Sequence, residues 1–314
     1  MAYFSMADNN NCPGMIIFST PEEPIENYLT VTIGFRCNNR CLSCMLRGVM
    51  ARLQPVAFDQ YRLLLTEVVR EGRFTSLILS GAEATLEDDL PRYLELARNT
   101  NHFRHIRIQT NGRRLADYEY ARALTKAGLD EAFVSVYGPN PPIHESLTRV
   151  PGSFDETIQG IRNLNELGVQ VITNTVITRL NYQSLPEIVA TLPGFPTIAR
   201  MEFWHYWPMG ETDPYDLLVA NENLAPYLHA VITKARQMNQ AILFKNIPEC
   251  VLGEYADYLD NRLPQTIIDE AYWEAYRKNN FGLCPKREHC GAKKCMGLTA
   301  AYINKFNREQ LIPL

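Results

Sequence analysis

Short apolar runs rich in β-branched residues recur along this chain with an amphipathic stretch between each pair, at a spacing of about 30 residues. Few architectures other than a repeated βα unit satisfy that pattern. The runs fall at 29–35, 75–80, 105–110, 131–137, 169–177 and 200–205, and the helical stretches at 59–71, 89–99, 117–127, 154–167 and 184–192. Most of the runs are continuous in apolar character, as strands buried on both faces are, so they imply a parallel sheet joined by right-handed crossovers. Eight units would complete a barrel. After Gly210 the alternation fades into helical sequence at 224–240 and 267–278. The expected fold is therefore α/β, a partial (β/α)6 TIM barrel with a mostly helical C-terminal extension. The expected divisions are an arm over 1–27, the barrel over 28–215 and the extension over 216–314.

Composition sets the outer bounds. A chain of 314 residues with 46% hydrophobic residues buries a full core, and its formal charge of −4 gives no basic field for nucleic acid or acidic membranes. No apolar run reaches the length of a membrane span, and the N-terminus lacks the order of a signal peptide, so a cytoplasmic protein is expected. In that compartment the eight cysteines stay reduced and are candidates for metal ligands rather than disulfides.

Three of them follow the first strand as Cys37, Cys41 and Cys44, a CxxxCxxC on one loop. Three closely spaced thiolates hold three corners of an iron–sulfur cube and leave the fourth iron open to a small molecule. A zinc site completed by Cys12 or a histidine is the alternative. Cys250, Cys284, Cys290 and Cys295 lie in the extension, where four thiols suit a second metal centre that staples a region with little core, iron–sulfur or zinc.

CxxxCxxC after the first strand of such a barrel resembles the radical S-adenosylmethionine (radical SAM) superfamily, with the likeness running from about Thr30 to Gly210. The resemblance implies a 4Fe-4S cluster on Cys37, Cys41 and Cys44 whose open iron binds S-adenosylmethionine, and reductive cleavage of that cofactor to a 5′-deoxyadenosyl radical. Ser43 stands where the family usually has an aromatic residue. Gly81, Ala82 and Glu83 resemble the family's Gly-Gly-Glu-Pro motif for the methionine amino group, with Ala82 and Ala84 as departures. Thr110 and Asn111 match a stretch beside the cofactor, and Ser135 a contact to the ribose. Arg149 matches a partner of the methionine carboxylate, and Asn174 and Tyr206 match adenine-contact positions.

The C-terminal cysteines resemble a shortened SPASM or twitch extension carrying an auxiliary 4Fe-4S cluster. Enzymes with such extensions imply a ribosomally synthesised precursor peptide as substrate. They also imply a separate leader-peptide recognition protein and a reducing partner such as flavodoxin or ferredoxin. A peptide would enter by strand addition at the free edge of the first strand. The alternative is a radical dehydrogenase or epimerase on a sugar or aminocyclitol, with Trp204, Tyr206 and Trp207 lining a compact pocket. Tyr137, Glu202, His205 and Lys245 are titratable groups near the strand ends, and none is singled out as a catalytic base.

Overall fold

The computed structural model describes residues 25–306. Most of the expected arm, with Cys12, lies outside the described residues. The elements run β1 (Ile25–Gly34), α1 (Phe58–Glu71), β2 (Ser76–Gly81), α2 (Leu90–Asn99), β3 (His105–Thr110), α3 (Tyr118–Lys126), β4 (Glu131–Ser135), α4 (Pro141–Thr148) and α5 (Ser153–Glu166). They continue with β5 (Gln170–Ile177), α6 (Leu185–Thr191), β6 (Ile198–His205), α7 (Asn221–Gln237), β7 (Ile242–Lys245), α8 (Glu249–Leu252), β8 (Pro264–Ile267), α9 (Glu270–Arg277) and α10 (Ala300–Phe306). Local chemistry explains several starts. Asp117 caps α3 by accepting the N–H groups of Glu119 and Tyr120, and Asn140 caps α4 by accepting that of Ile143. The paired prolines 141 and 142 then occupy the first turn of α4, where no N–H is needed.

All strands are parallel and lie in the order β7-β6-β5-β4-β3-β2-β1-β8. The six expected strands are present, and the extension adds β7 and β8, so the barrel sheet runs on past residue 215. β8 pairs with the outer edge of β1, and that edge is therefore not open to strand addition by a peptide. The stretch leading into β8 reaches the opposite edge of the sheet: Leu259 bridges Phe244 of β7, and the Asp260 N–H donates to the Phe244 carbonyl at 3.1 Å. One segment thus joins the two margins of the curled sheet.

The two faces of the sheet differ. Leu29, Val31, Leu77, Leu79, Ile106, Ile108, Val134, Val171 and Phe203 pack with α1 to α7 residues such as Leu65, Leu94, Leu124, Ile161 and Leu228 in one continuous core. Each such side chain, fully buried, contributes about 1.5–3 kcal/mol relative to exposure. The opposite, inward face carries Arg107, Glu131, Ser135, Asn174, Glu202, Trp204 and Lys245, brought side by side by the register of neighbouring strands. Among the described residues no helix is long and apolar enough to cross a membrane.

Candidate active site

The loop carrying Cys37, Cys41 and Cys44 leaves β1 at the C-terminal rim of the sheet, where parallel barrels bind ligands. It is clamped from two sides. The N–H groups of Arg40 and Leu42 donate to the carbonyls of Thr148 (3.0 Å) and Leu147 (2.9 Å) in the last turn of α4. On the other side the Arg113 guanidinium donates to the Asn38 carbonyl (2.6 Å) and Asn39 Oδ1 (2.9 Å), and Asn111 Nδ2 donates to Asn38 Oδ1 (2.7 Å).

Burial raises the pKa of all three thiols, and for Cys41 burial, with Cys44 and Cys37 beside it, pushes the value up to about 12. Mutually repelling thiols of this kind become thiolates when a positive centre arrives to share them. Donors for sulfur are in place: the Asn39 N–H points to Cys37 Sγ at 3.4 Å, the N–H groups of Leu46 and Arg47 to Cys44, and the Tyr137 hydroxyl to Cys41. Among the described residues no three His, Cys, Asp or Glu side chains close on the point a single ion would occupy. The donor set of three thiols on one N–H-rich loop fits an iron–sulfur cluster.

The β2 and β3 ends are locked together beside this loop. Glu83 is 1% exposed. Its Oε1 accepts from the Thr85 N–H (3.1 Å), Thr85 Oγ1 (2.6 Å) and Thr110 Oγ1 (2.5 Å), and its Oε2 from the Asn111 N–H (2.6 Å). Burial pushes its carboxyl pKa up, and the four donors pull against that shift. Most of its acceptor capacity is therefore spent holding the two loops, with one lone-pair direction on Oε2 left over for a ligand ammonium. Gly81 has φ +149°, and a Cβ there would lie 1.9 Å from the Gly34 carbonyl oxygen, so only glycine fits. The Ala82 N–H donates to that same oxygen at 2.9 Å.

The remaining expected cofactor residues ring the same rim. Ser135 and Asn174 are register partners on β4 and β5. The Ser135 hydroxyl bonds Tyr137, while Asn174 Oδ1 is buried without a partner among the described residues. Arg149 caps α4 with φ +60°, next to Thr148, which holds the cysteine loop, and its exposed guanidinium forms no ion pair among the described residues. Tyr206 is buried past the end of β6. Trp204 and Trp207 part company: Trp204 packs on Phe133 inside the barrel, and Trp207 on Phe281 of the extension.

The four C-terminal cysteines gather as well. Cys250 lies on α8 and the others on the 284–295 loop, and burial together with Cys295, Cys284 and Cys290 pushes Cys250 up to about 12. Asn261 Nδ2 donates to the Lys294 carbonyl (2.6 Å), and Glu249 Oε2 accepts from the N–H groups of Lys293 (2.9 Å) and Lys294 (2.6 Å). The cysteine loop is thereby pinned to α8 and to the segment that leads into β8.

Sequence reading named Glu202 and Lys245 near the strand ends but missed Arg107, Glu131 and Arg200 and the pairs formed on the inward face. Arg107 pairs with Glu131 at 2.5 Å, and Glu202 takes both Arg200 (2.6 Å) and the Trp204 Nε1–H (2.9 Å). Lys245 Nζ donates to the carbonyls of Asp260 (2.7 Å) and Arg262 (2.5 Å), and burial lowers its pKa. The signal for this lining was the period-two pattern Arg200, Glu202, Trp204 against Met201, Phe203.

Comparison with known proteins agrees with this geometry. A family model described as the radical SAM superfamily matches residues 31–192. Among curated proteins, a GTP 3',8-cyclase of Petrotoga mobilis is 30% identical over 190 residues, 59% of this chain and 57% of that protein. An Fe-coproporphyrin III synthase of Methanosarcina barkeri is 26% identical over 200 residues, 63% and 48% of the two chains. The chain spans about half the length of the curated relatives it matches. Among solved structures, Streptococcus suis SuiB bound to precursor peptide SuiA superposes with a TM-score of 0.57 at 18% identity, covering 73% of this chain and 49% of that one.

Proposed function

The chain belongs to the radical SAM superfamily of enzymes, which use a 4Fe-4S cluster and S-adenosylmethionine, and on that premise we propose that it abstracts hydrogen from a ribosomally synthesised peptide. Cys37, Cys41 and Cys44 would hold the cluster. When bound, cluster and cofactor together supply a 5′-deoxyadenosyl radical that takes a hydrogen atom from the substrate. The protein's own residues decide which hydrogen is in reach. Asn39, Leu46, Arg47 and Tyr137 stabilise thiolate charge, and Gly81 lets the β2 end pass close to β1. Arg149 offers an unpaired cation to the methionine carboxylate, and Asn174 a free acceptor on the rim. Cys250, Cys284, Cys290 and Cys295 would hold an auxiliary 4Fe-4S cluster as a shortened SPASM or twitch extension.

The observation that carries the choice of substrate is the charge balance of the inward face. Three cations, Arg107, Arg200 and Lys245, stand against two carboxylates, Glu131 and Glu202. Both guanidiniums are already paired, and the ammonium is tied to two carbonyls. A nucleoside triphosphate, the substrate class named for the cyclase relatives, would bring several negative charges to a face where Lys245 alone of these cations lacks a carboxylate partner and is itself tied to two carbonyls. An uncharged stretch of peptide asks for none, and the same fold holds a precursor peptide in SuiB. A leader-binding protein and a flavodoxin or ferredoxin would complete the system.

The test is metal content after anaerobic purification together with 5′-deoxyadenosine formed on adding dithionite and S-adenosylmethionine. The expected result is about eight irons with deoxyadenosine, about four irons and none after Cys37→Ala, and no turnover of GTP. Zinc without iron, or GTP consumption, would overturn the reading.

A further inference from the structure

We propose that Arg113 is the positioning residue of the loop that carries Cys37, Cys41 and Cys44: it holds the Asn38–Asn39 peptide so that the Asn39 N–H meets Cys37 Sγ, and it thereby raises the reduction potential of a cluster bound there. The effect on potential rests on the iron–sulfur reading above, while the effect on position does not.

Residues 35–49 form no helix or strand, so the shape of this loop is set by what it touches. The anchor on the β3 side is firm. The turn 113–116 after β3 is held by α5, where Asn163 Nδ2 donates to the carbonyls of Leu115 (2.8 Å) and Ala116 (3.0 Å), and Thr157 Oγ1 to that of Asn111 (2.8 Å). A Cβ on Gly160 of α5 would lie 2.2 Å from the Gly112 carbonyl oxygen, so helix and turn meet backbone to backbone. From this base the Arg113 side chain, 13% exposed, reaches the loop. Its Nη1 donates to the Asn38 carbonyl (2.6 Å) and to Asn39 Oδ1 (2.9 Å).

The Asn38 carbonyl and the Asn39 N–H are the two ends of one peptide unit. In a planar trans peptide they point in opposite directions, so a guanidinium fixed on the carbonyl turns the N–H to the far side. There it meets Cys37 Sγ at 3.4 Å. The cation also polarises the peptide, which strengthens its N–H as a donor. Arg113 Nε donates to Glu156 (2.5 Å), but that carboxylate is 47% exposed and water screens much of its charge. Arg47, the other guanidinium bonded to the loop, holds a different peptide through the Arg40 carbonyl (2.7 Å). Hydrogen bonds to a ligating sulfur favour the more negative, reduced state of a cluster and so raise its potential.

The test compares full-length wild type, Arg113→Met and Arg113→Lys by two readouts. The first is amide hydrogen exchange of the metal-free protein by mass spectrometry. Exchange over residues 38–42 is expected to be at least about tenfold faster in Arg113→Met, with that of β3 and α5 unchanged. The second is a one-electron titration of the iron-loaded protein with dithionite through viologen mediators, the signal that changes on adding S-adenosylmethionine marking the cluster on these three cysteines. Arg113→Met is expected to make reduction at least tenfold less favourable, a midpoint about 59 mV more negative. Arg113→Lys keeps the charge and one donor, so both readouts are expected between the other two, and it carries the test where Arg113→Met does not fold. Wild-type exchange over 38–42, or a wild-type midpoint, in the folded variant would overturn the proposal. Zinc in place of iron in the wild type would overturn the cluster reading and the effect on potential with it, and the exchange rates would then decide the positioning role.

Discussion

His144 and His205 make the fold sensitive to mild acid, and the size of the effect follows from where each ring sits. His144 is 1% exposed, and its Nδ1 accepts the Tyr137 N–H at 3.2 Å. A proton cannot be added at Nδ1 without losing that bond, so the ring stays neutral with its hydrogen on Nε2. Burial, with the Arg113 charge nearby, lowers its pKa from 6.5 to about 4, and burial does the same for His205. The sign is fixed by these depressed values. The unfolded chain takes up protons near pH 6.5 and the native state does not, so stability present above pH 6.5 is lost as pH falls, until the native rings titrate near 4. At pH 5.5 the unfolded state gains about 1.4 kcal/mol per histidine, about 2.8 for the pair, against less than about 0.1 each at pH 7.5. The figure at pH 5.5 depends almost wholly on the unfolded-state titration, so it holds for any native value below about 5. Urea unfolding at the two pH values is the assay, for wild type, His144→Gln and His205→Gln. Glutamine keeps an acceptor for the Tyr137 N–H without adding a titration. Each variant is expected to lose about 1.4 kcal/mol less than wild type on acidification. An acid-induced loss identical in all three proteins would refute the assignment of the two rings as buried and neutral.

Two further outcomes follow from the β2 rim. Gly81→Ala forces a methyl group to within 1.9 Å of the Gly34 carbonyl oxygen at φ +149° and is expected to cost at least about 3 kcal/mol or abolish soluble protein. Gly48→Ala, with open space around the added methyl, is the control expected to leave urea stability within about 0.5 kcal/mol of wild type. Glu83→Gln can keep the three bonds to Oε1 but sets its amide nitrogen against the Asn111 N–H. The expected cost is about 1–3 kcal/mol by the same unfolding assay, and an unchanged midpoint would show that the carboxylate does not tie the two loops.

The parts of the fold legible in sequence were those with long, regular signals, and the parts missed show what the signal lacks. β3 was readable residue for residue because Ile106 and Ile108 alternate with polar residues over a short stretch bounded by turn residues. β7 and β8 have only four residues each, and β8 begins with Pro264 and carries Gln265 and Thr266, so neither shows a period. α4 was hidden by its two prolines, although Asn140 followed by proline is a helix start when capping is considered. The cysteine loop was readable because its chemistry is local. The bonds by which Glu83 ties two loops were not, since its partners Thr110 and Asn111 lie 27 and 28 residues away and meet it only when β2 and β3 pair.

The polar lining was present in the sequence as alternation inside runs read as uniformly apolar. In β6, Met201 and Phe203 face the helices while Arg200, Glu202 and Trp204 face inward. The Arg107–Glu131 pair is buried, and a buried ion pair desolvates both partners and is weak evidence for stability, whereas the Arg200 side chain is 38% exposed. Replacing the Arg107–Glu131 pair with apolar residues of similar volume would fill the barrel at little energetic cost. Its presence inside a barrel that could have been packed with Val and Ile is therefore an argument about what the barrel must accommodate. A chamber whose two carboxylates each hold a guanidinium, with the Lys245 ammonium tied to two carbonyls, favours an uncharged chain over one that carries several charges.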